Sequence, residues 1–196
     1  MRRSRLVRAT AGVAFAAMCA CLPVSAQDAA SAGPAAALAT AGYSAVPMKR
    51  HGDSHLTVDV LVNGVPGTFI LDTGAGRTVI DRAAQSRFDE GREVVAGGQA
   101  TGAGGSGLDI SALPGNRLRI GDYRDEAFTV HFLALDHVNA AFLQRGEAAV
   151  DGVIGADVLE RGGAVIDYPH LQLHLRNPDA GAGAPAPSSP SSSEQR

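Results

Sequence analysis

The chain has 196 residues, with 17 basic and 20 acidic side chains, a hydrophobic share of 45% and no tryptophan. That length holds one domain with a real core and not two large ones. The acidic balance excludes a nucleic-acid partner, because no basic stripe offsets it, while 24 glycines and 10 prolines point to strands and tight turns instead of long helices.

Residues 1–26 read as a signal peptide. Arg2, Arg3, Arg5 and Arg8 make a positive start, Ala11 to Leu22 is small and apolar, and Val24-Ser25-Ala26 is a small-residue cleavage site. The apolar stretch is shorter than the roughly 20 residues a spanning helix needs. The mature chain is therefore expected to carry no membrane span and to be exported, either periplasmic or secreted. Lipoprotein processing at Cys21 is the weaker alternative. Cys19 and Cys21 are the only cysteines, so the mature chain holds no disulfide and thiol catalysis is excluded. Loss of the four arginines leaves 13 basic against 20 acidic groups, a net charge of −7.

Residues 27–48 are rich in Ala, Ser and Gly without an apolar period, which predicts a flexible leader. Residues 177–196 form a Pro/Ser/Ala-rich tail that is expected to be disordered. The folded domain is then 49–176. Leu56, Val58, Val60 and Val62 alternate with Thr57 and Asp59, the period of a half-buried strand. Asn63-Gly64 predicts a tight hairpin turn, and Thr68 to Leu71 returns as a strand buried on both faces.

Thr78 to Ile80 is a further short strand, and Asp81 caps a brief helix from Arg82 to Phe88. The glycine-dense stretch 97–107 predicts a loop or hairpin tip, and Pro114 argues against a helix over Ser111 to Gly115. Leu118 to Ile120 and Phe128 to Leu133 read as strands, and His137 to Arg145 as a short helix. Val153-Ile154 is a buried strand and Ala156 to Glu160 a helical turn or two. Ala164 to Asp167 and Leu171 to Leu175 close the sheet, with His170 and His174 on one solvated face. Many short strands separated by turns predict an all-β barrel or sandwich.

The segment Phe69-Ile70-Leu71-Asp72-Thr73-Gly74-Ala75 carries the chemistry. A carboxylate directly after a buried apolar strand is costly unless it is used. Gly74 and Gly76 let the chain turn and bring backbone amides near it, and the Thr73 hydroxyl can donate or accept. Two carboxyls about 3 Å apart share one proton. The charged member can then take a proton from water while the neutral one polarises a carbonyl. The residues alone leave a second reading open, in which Asp72 is a turn aspartate that caps the loop.

Asp72-Thr73-Gly74-Ala75 after an apolar strand and an Asn-Gly hairpin resembles the active-site motif of retropepsin-like aspartic proteases. Asp151-Gly152-Val153-Ile154-Gly155-Ala156-Asp157 resembles that family's apolar-apolar-Gly segment, which threads beside the active-site loop. The two resemblances cover most of 55–175. They imply an all-β, retropepsin-like acid-protease barrel with one or two short helices. They imply Asp72 as the catalytic residue in a loop with Thr73, Gly74 and Ala75, and Ile154, Gly155 and Asp157 as the structural motif beside it.

The motif occurs once, so the resemblance implies a homodimer with one Asp72 from each subunit, acting on peptide or protein substrates with no cofactor and no metal. It also implies a flap near Gln99 to Gly107, with Gly102, Gly104 and Gly105 at its mobile tip. Gly76 departs from the family, which often carries Ser or Thr there. A periplasmic peptide- or envelope-binding module on the same fold, without catalysis, is the alternative function.

Overall fold

The structure, a computed structural model, describes residues 33–102 and 105–178. The expected signal segment, Gly104 and nearly all of the 177–196 tail lie outside the described residues. In chain order the elements are α1 (Pro34–Thr40), β1 (Tyr43–Pro47), β2 (Lys49–His51), β3 (His55–Val62), β4 (Val65–Leu71) and β5 (Val79–Asp81). A 3-10 turn (Arg82–Ala84) then leads into α2 (Gln85–Phe88), β6 (Val95–Gly102), β7 (Gly105–Ile120) and β8 (Tyr123–Leu133). The chain ends with α3 (Asp136–Gln144), β9 (Gly152–Ile154), α4 (Ala156–Arg161), β10 (Val165–Asp167) and β11 (Gln172–Arg176).

Alternation along β3 builds the barrel's first wall. Leu56, Val58, Val60 and Val62 are buried while Asp59 is exposed. The turn into β4 needs two residues at positive φ, and Asn63 (φ 53°) and Gly64 (φ 86°) supply them. Eight strands follow the order β2-β3-β4-β9-β5-β8-β7-β6. A further pairing of β3 with β7, Leu61 opposite Arg119 and Val62 opposite Leu118, closes six of them into a ring. Closure satisfies strand edges that would otherwise stay open. The fold is therefore the all-β acid-protease barrel that the motifs imply, with four short α-helices among the described residues where one or two were expected.

Phe69, Phe88, Leu118, Tyr123, Phe132 and Ile154 are almost wholly buried at the barrel's centre. The Phe69 and Phe88 rings meet edge to face at 6.5 Å. A second cluster, with Ile70, Val79, Phe142 and Val153, seals the other side of β4 and β9 under α3. This is why Phe69-Ile70 is apolar without alternation: each face of β4 meets a different core.

The expected leader 27–48 is corrected by the structure over its second half. Pro34 starts α1, where its fixed φ suits the first turn, and an alanine run continues it. Tyr43–Pro47 then pairs along the whole of β11, and Val46 and Met48 are buried in the main core. The strand exists because β11 offers an edge, a tertiary cause that local composition does not carry.

The glycine-dense stretch is likewise more regular than expected. β6 and β7 run as a paired hairpin to Gly102 opposite Gly105, with register shifts at Ala96/Gly98 and Ala100/Thr101. Strand β7 also passes through Pro114, where the register with β8 shifts between Leu113 and Asn116; the proline occupies a bulge that asks for no ladder N–H.

His174 is corrected as well. It is 2% exposed on β11, whereas His170 lies in the preceding turn and donates its backbone N–H to Asp167 at 3.1 Å. The β1-β11-β10 sheet is three-stranded and antiparallel, apart from the barrel ladder.

Candidate active site

Strand β4 ends at Leu71 and delivers Asp72 into a tight loop. β9 runs parallel beside it, with Leu71 opposite Ile154. The ladder continues one step past the strand, because the Asp72 N–H donates to the Ile154 carbonyl at 3.0 Å. On the loop's far side the Ala156 N–H donates to the Ala75 carbonyl at 2.7 Å. Residues 72–75 are thus clamped at both ends by the 154–156 segment.

Gly155 makes that clamp sterically feasible. A Cβ there would stand 2.5 Å from the Arg77 carbonyl carbon and 2.7 Å from the Ala75 carbonyl oxygen. Its N–H donates to the Thr78 hydroxyl at 3.0 Å, and that hydroxyl donates to Asp157 at 2.7 Å. The same Asp157 oxygen accepts the Thr78 and Val158 backbone N–H groups at 2.9 and 2.8 Å. Asp157 thereby ties the start of β5 to the start of α4.

The Asp72 side chain is exposed, and one of its oxygens accepts the Gly74 N–H at 2.8 Å. Among the described residues no other donor reaches the carboxylate. Thr73 and Gly74 are exposed beside it, so the loop presents one carboxylate, one hydroxyl and a held backbone turn to whatever lies outside. Thr73 also lines an open groove of about 330 Å³ with Leu159, Ala164 and Ile166.

A second hollow, about 220 Å³, opens behind the loop between Arg77, Asp157, His131 and the Arg161–Asp125 ion pair. Burial, and next the positive charge of Arg77, lower the pKa of His131 from 6.5, against the opposing effect of Asp157. Among the described residues no three His, Cys, Asp or Glu side chains converge as a metal site, and no helix is long and apolar enough to cross a membrane.

The structure therefore brings Asp72, Thr73, Gly74 and Ala75 together with Ile154, Gly155 and Asp157 in one hydrogen-bonded unit. Gly102 and Gly105 stand at the end of the β6–β7 hairpin, and Gly104 falls outside the described residues. The residue that sequence reasoning missed is Thr78. Its position six after Asp72, at the mouth of a buried strand, was the available signal for a hydroxyl that bridges the two motifs.

An all-β barrel with a strand-end Asp-Thr-Gly loop clamped by an apolar-Gly segment has the acid-protease fold. Residues 58–158 match the aspartyl protease family, and the chain belongs to that family. Among solved structures it is similar to a retropepsin-like aspartic protease from Rickettsia conorii, at 20% identity, covering 68% of this chain and 90% of that one with a TM-score of 0.47. It is similar to the EIAV protease complexed with an inhibitor at 19% identity, covering 61% and 98% with a TM-score of 0.46. No curated protein matches the chain.

Proposed function

We propose that this chain is an exported aspartic endopeptidase that hydrolyses extended peptides through a dyad of two Asp72 carboxyls, one from each subunit of a homodimer. The observation that carries the reading is the Asp72 carboxylate itself. It is exposed, held through a single backbone N–H, and mounted on a loop fixed at both ends.

Two such groups brought face to face hold one proton between them. The ionised one accepts a proton from water, whose oxygen attacks the scissile carbonyl carbon. The protonated one donates to the carbonyl oxygen, so charge does not build up there, and the proton taken from water then passes to the amide nitrogen as the C–N bond breaks and the amine leaves. Thr73, next to Asp72, would bond across the two-fold axis and keep the carboxyls in register. We read the β6–β7 hairpin, paired as far as Gly102 opposite Gly105, as the segment that covers an extended peptide.

The test is cleavage of a peptide library by the protein beside Asp72→Asn. The variant should fold with stability within about 0.5 kcal/mol of the parent, as exposed substitutions do, and show no cleavage. Normal cleavage by Asp72→Asn would remove Asp72 from the chemistry. Binding of the same peptides without cleavage by the parent protein would favour the non-catalytic binding module.

A further inference from the structure

The hollow of about 220 Å³ behind the Asp72 loop takes no part in the two-carboxyl reading. Three elements build it. Strand β8 contributes Thr129 and His131, which alternate with the buried Phe128, Val130 and Phe132 and therefore share its outer face. The stretch between the Asp72 loop and β5 contributes Arg77, and α4 contributes Asp157 and Arg161. The hollow is smaller than the roughly 300 Å³ at which pockets for drug-sized ligands begin, so it suits a small anion or one side chain.

The charges around it are matched unevenly. Arg161 pairs with Asp125, which also accepts the Ala127 N–H at 3.0 Å. One Asp157 oxygen is occupied by the Thr78 hydroxyl and the Thr78 and Val158 N–H groups. Arg77 is exposed and, among the described residues, makes no hydrogen bond and no ion pair. Its backbone is nevertheless closely packed, since a Cβ on Gly155 would stand 2.6 Å from its carbonyl oxygen. The result is an anchored guanidinium with an unfilled fork, whose planar geometry matches a carboxylate.

His131 supplies a second donor. Its Nδ1 is buried without a partner. A buried N–H lacking an acceptor is costlier than a bare lone pair, so the neutral ring carries its proton on Nε2. Burial, then Arg77, keeps that ring neutral, and the charge of Arg77 outweighs the opposing charge of Asp157 there. The local field at the ring is therefore positive and favours an anion.

We propose that this hollow binds a carboxylate, with the Arg77 guanidinium as its main partner and the Thr129 hydroxyl and His131 Nε2–H as further donors. Two sources carry that group: a free carboxylate anion, or a Glu or Asp side chain of a bound peptide. The second source rests on the peptidase reading, and it is within reach. Arg77 follows Asp72 by five positions, so their Cα atoms stand at most about 18 Å apart, a span that an extended peptide crosses in about five residues. A bound carboxylate offsets the charge of Arg77 and favours the imidazolium, so binding tightens as pH falls below 6.5.

The test follows the His131 imidazole proton resonance, assigned by its loss in His131→Gln, as acetate is added to the full chain in mildly acid buffer with chloride as the ionic-strength control. Acetate should shift the resonance saturably and chloride should not. Arg77→Gln, with native circular dichroism, should weaken acetate binding at least about tenfold, the loss expected for a charge-assisted pair. In a second arm the parent and Arg77→Gln cleave peptides that differ only by Glu against Gln near the scissile bond. A lower KM for the Glu peptide in the parent alone identifies a substrate side chain as the carboxylate. Equal KM values with saturable acetate binding identify a free anion. No saturable acetate shift and no Glu preference overturns the proposal and leaves the Asp72 dyad standing, as does any binding or preference that Arg77→Gln leaves unchanged. Absence of cleavage through Asp72 overturns the peptidase reading and leaves the acetate result to decide the hollow.

Discussion

Thr78 and Asp157 are joined by two hydrogen bonds, hydroxyl to carboxylate at 2.7 Å and backbone N–H to the same oxygen at 2.9 Å. The Thr78 hydroxyl also accepts from Gly155, so one side chain links the strand after the Asp72 loop to the segment that clamps it. Thr78→Val keeps the shape and strands the buried Gly155 N–H, which costs about 1–3 kcal/mol. Asp157→Ala removes the acceptor of three donors and should cost a similar amount. Because the two residues share one bond network, the double variant should lose less than the sum of the single losses. Denaturant melts of the four proteins check this, and strict additivity would mean that the pair acts independently.

Gly155→Ala should be the most damaging single-methyl change near the site. The atoms its Cβ would meet, in Arg77 and Ala75, belong to the backbone of the Asp72 loop and the turn after it, and can yield only by moving that loop. Overpacking of this kind costs about 1–3 kcal/mol, and peptidase activity should fall further than stability does. Gly76→Ala is the control. Nothing lies within 4 Å of its Cβ position, so stability should stay within about 0.5 kcal/mol of the parent. Equal effects from the two substitutions would show that the Gly155 contact does not position the loop.

The parts of this fold that can be read in the residues are those with local causes. Alternation over 56–62, the Asn63-Gly64 turn and the apolar run before Asp72 each announce their own structure, and two short motifs mark the site. The strand at Tyr43–Pro47 and the burial of His174 cannot be read in this way. Both arise from β11 lying between two partners, and neither composition nor period near residue 45 or 174 encodes that sandwich. The hairpin tip within 97–107 is legible from its glycines, but the length of the ladder leading to it is not. Its glycines look like loop, but a ladder is made by backbone groups and tolerates residues that have no side chain to vote with. Thr78 reads locally as a strand residue and no more, because its hydroxyl finds its partners 77 and 79 positions away.

A second buried network holds α3 to the barrel. Asn139 is 8% exposed. It donates to Asp81 at 2.8 Å and to the Val150 carbonyl at 3.1 Å, and accepts the Val150 N–H at 2.9 Å. Asp81, buried as well, also accepts the Leu135 and Ala83 N–H groups, both at 3.2 Å. Asn139→Leu strands both Val150 backbone groups and takes one donor from a buried carboxylate. The expected loss is about 2–4 kcal/mol, since each unsatisfied buried group costs about 1–3 kcal/mol. Thermal melting checks it, and a shift under one degree would show that water restores the network.

His131 gives the protein a pH dependence that is separate from any catalytic carboxyl. Its pKa in the fold lies below 6.5, because burial and Arg77 both disfavour the imidazolium. The unfolded chain therefore binds a proton that the native state resists. Stability conferred by the neutral ring is complete above 6.5 and is lost as pH falls from there to the lower native value, beneath which the slope ends. Asp167 acts in another window. Its hydrogen bonds from the His170 side chain and backbone hold its pKa below 3.8, so its contribution is present above 3.8 and lost only at more acid pH. His131→Gln should flatten the melting-temperature profile just below pH 6.5 and leave the acid limb unchanged. An unaltered slope in that upper window would show that the hollow beside Arg77 already admits the charged ring at no cost.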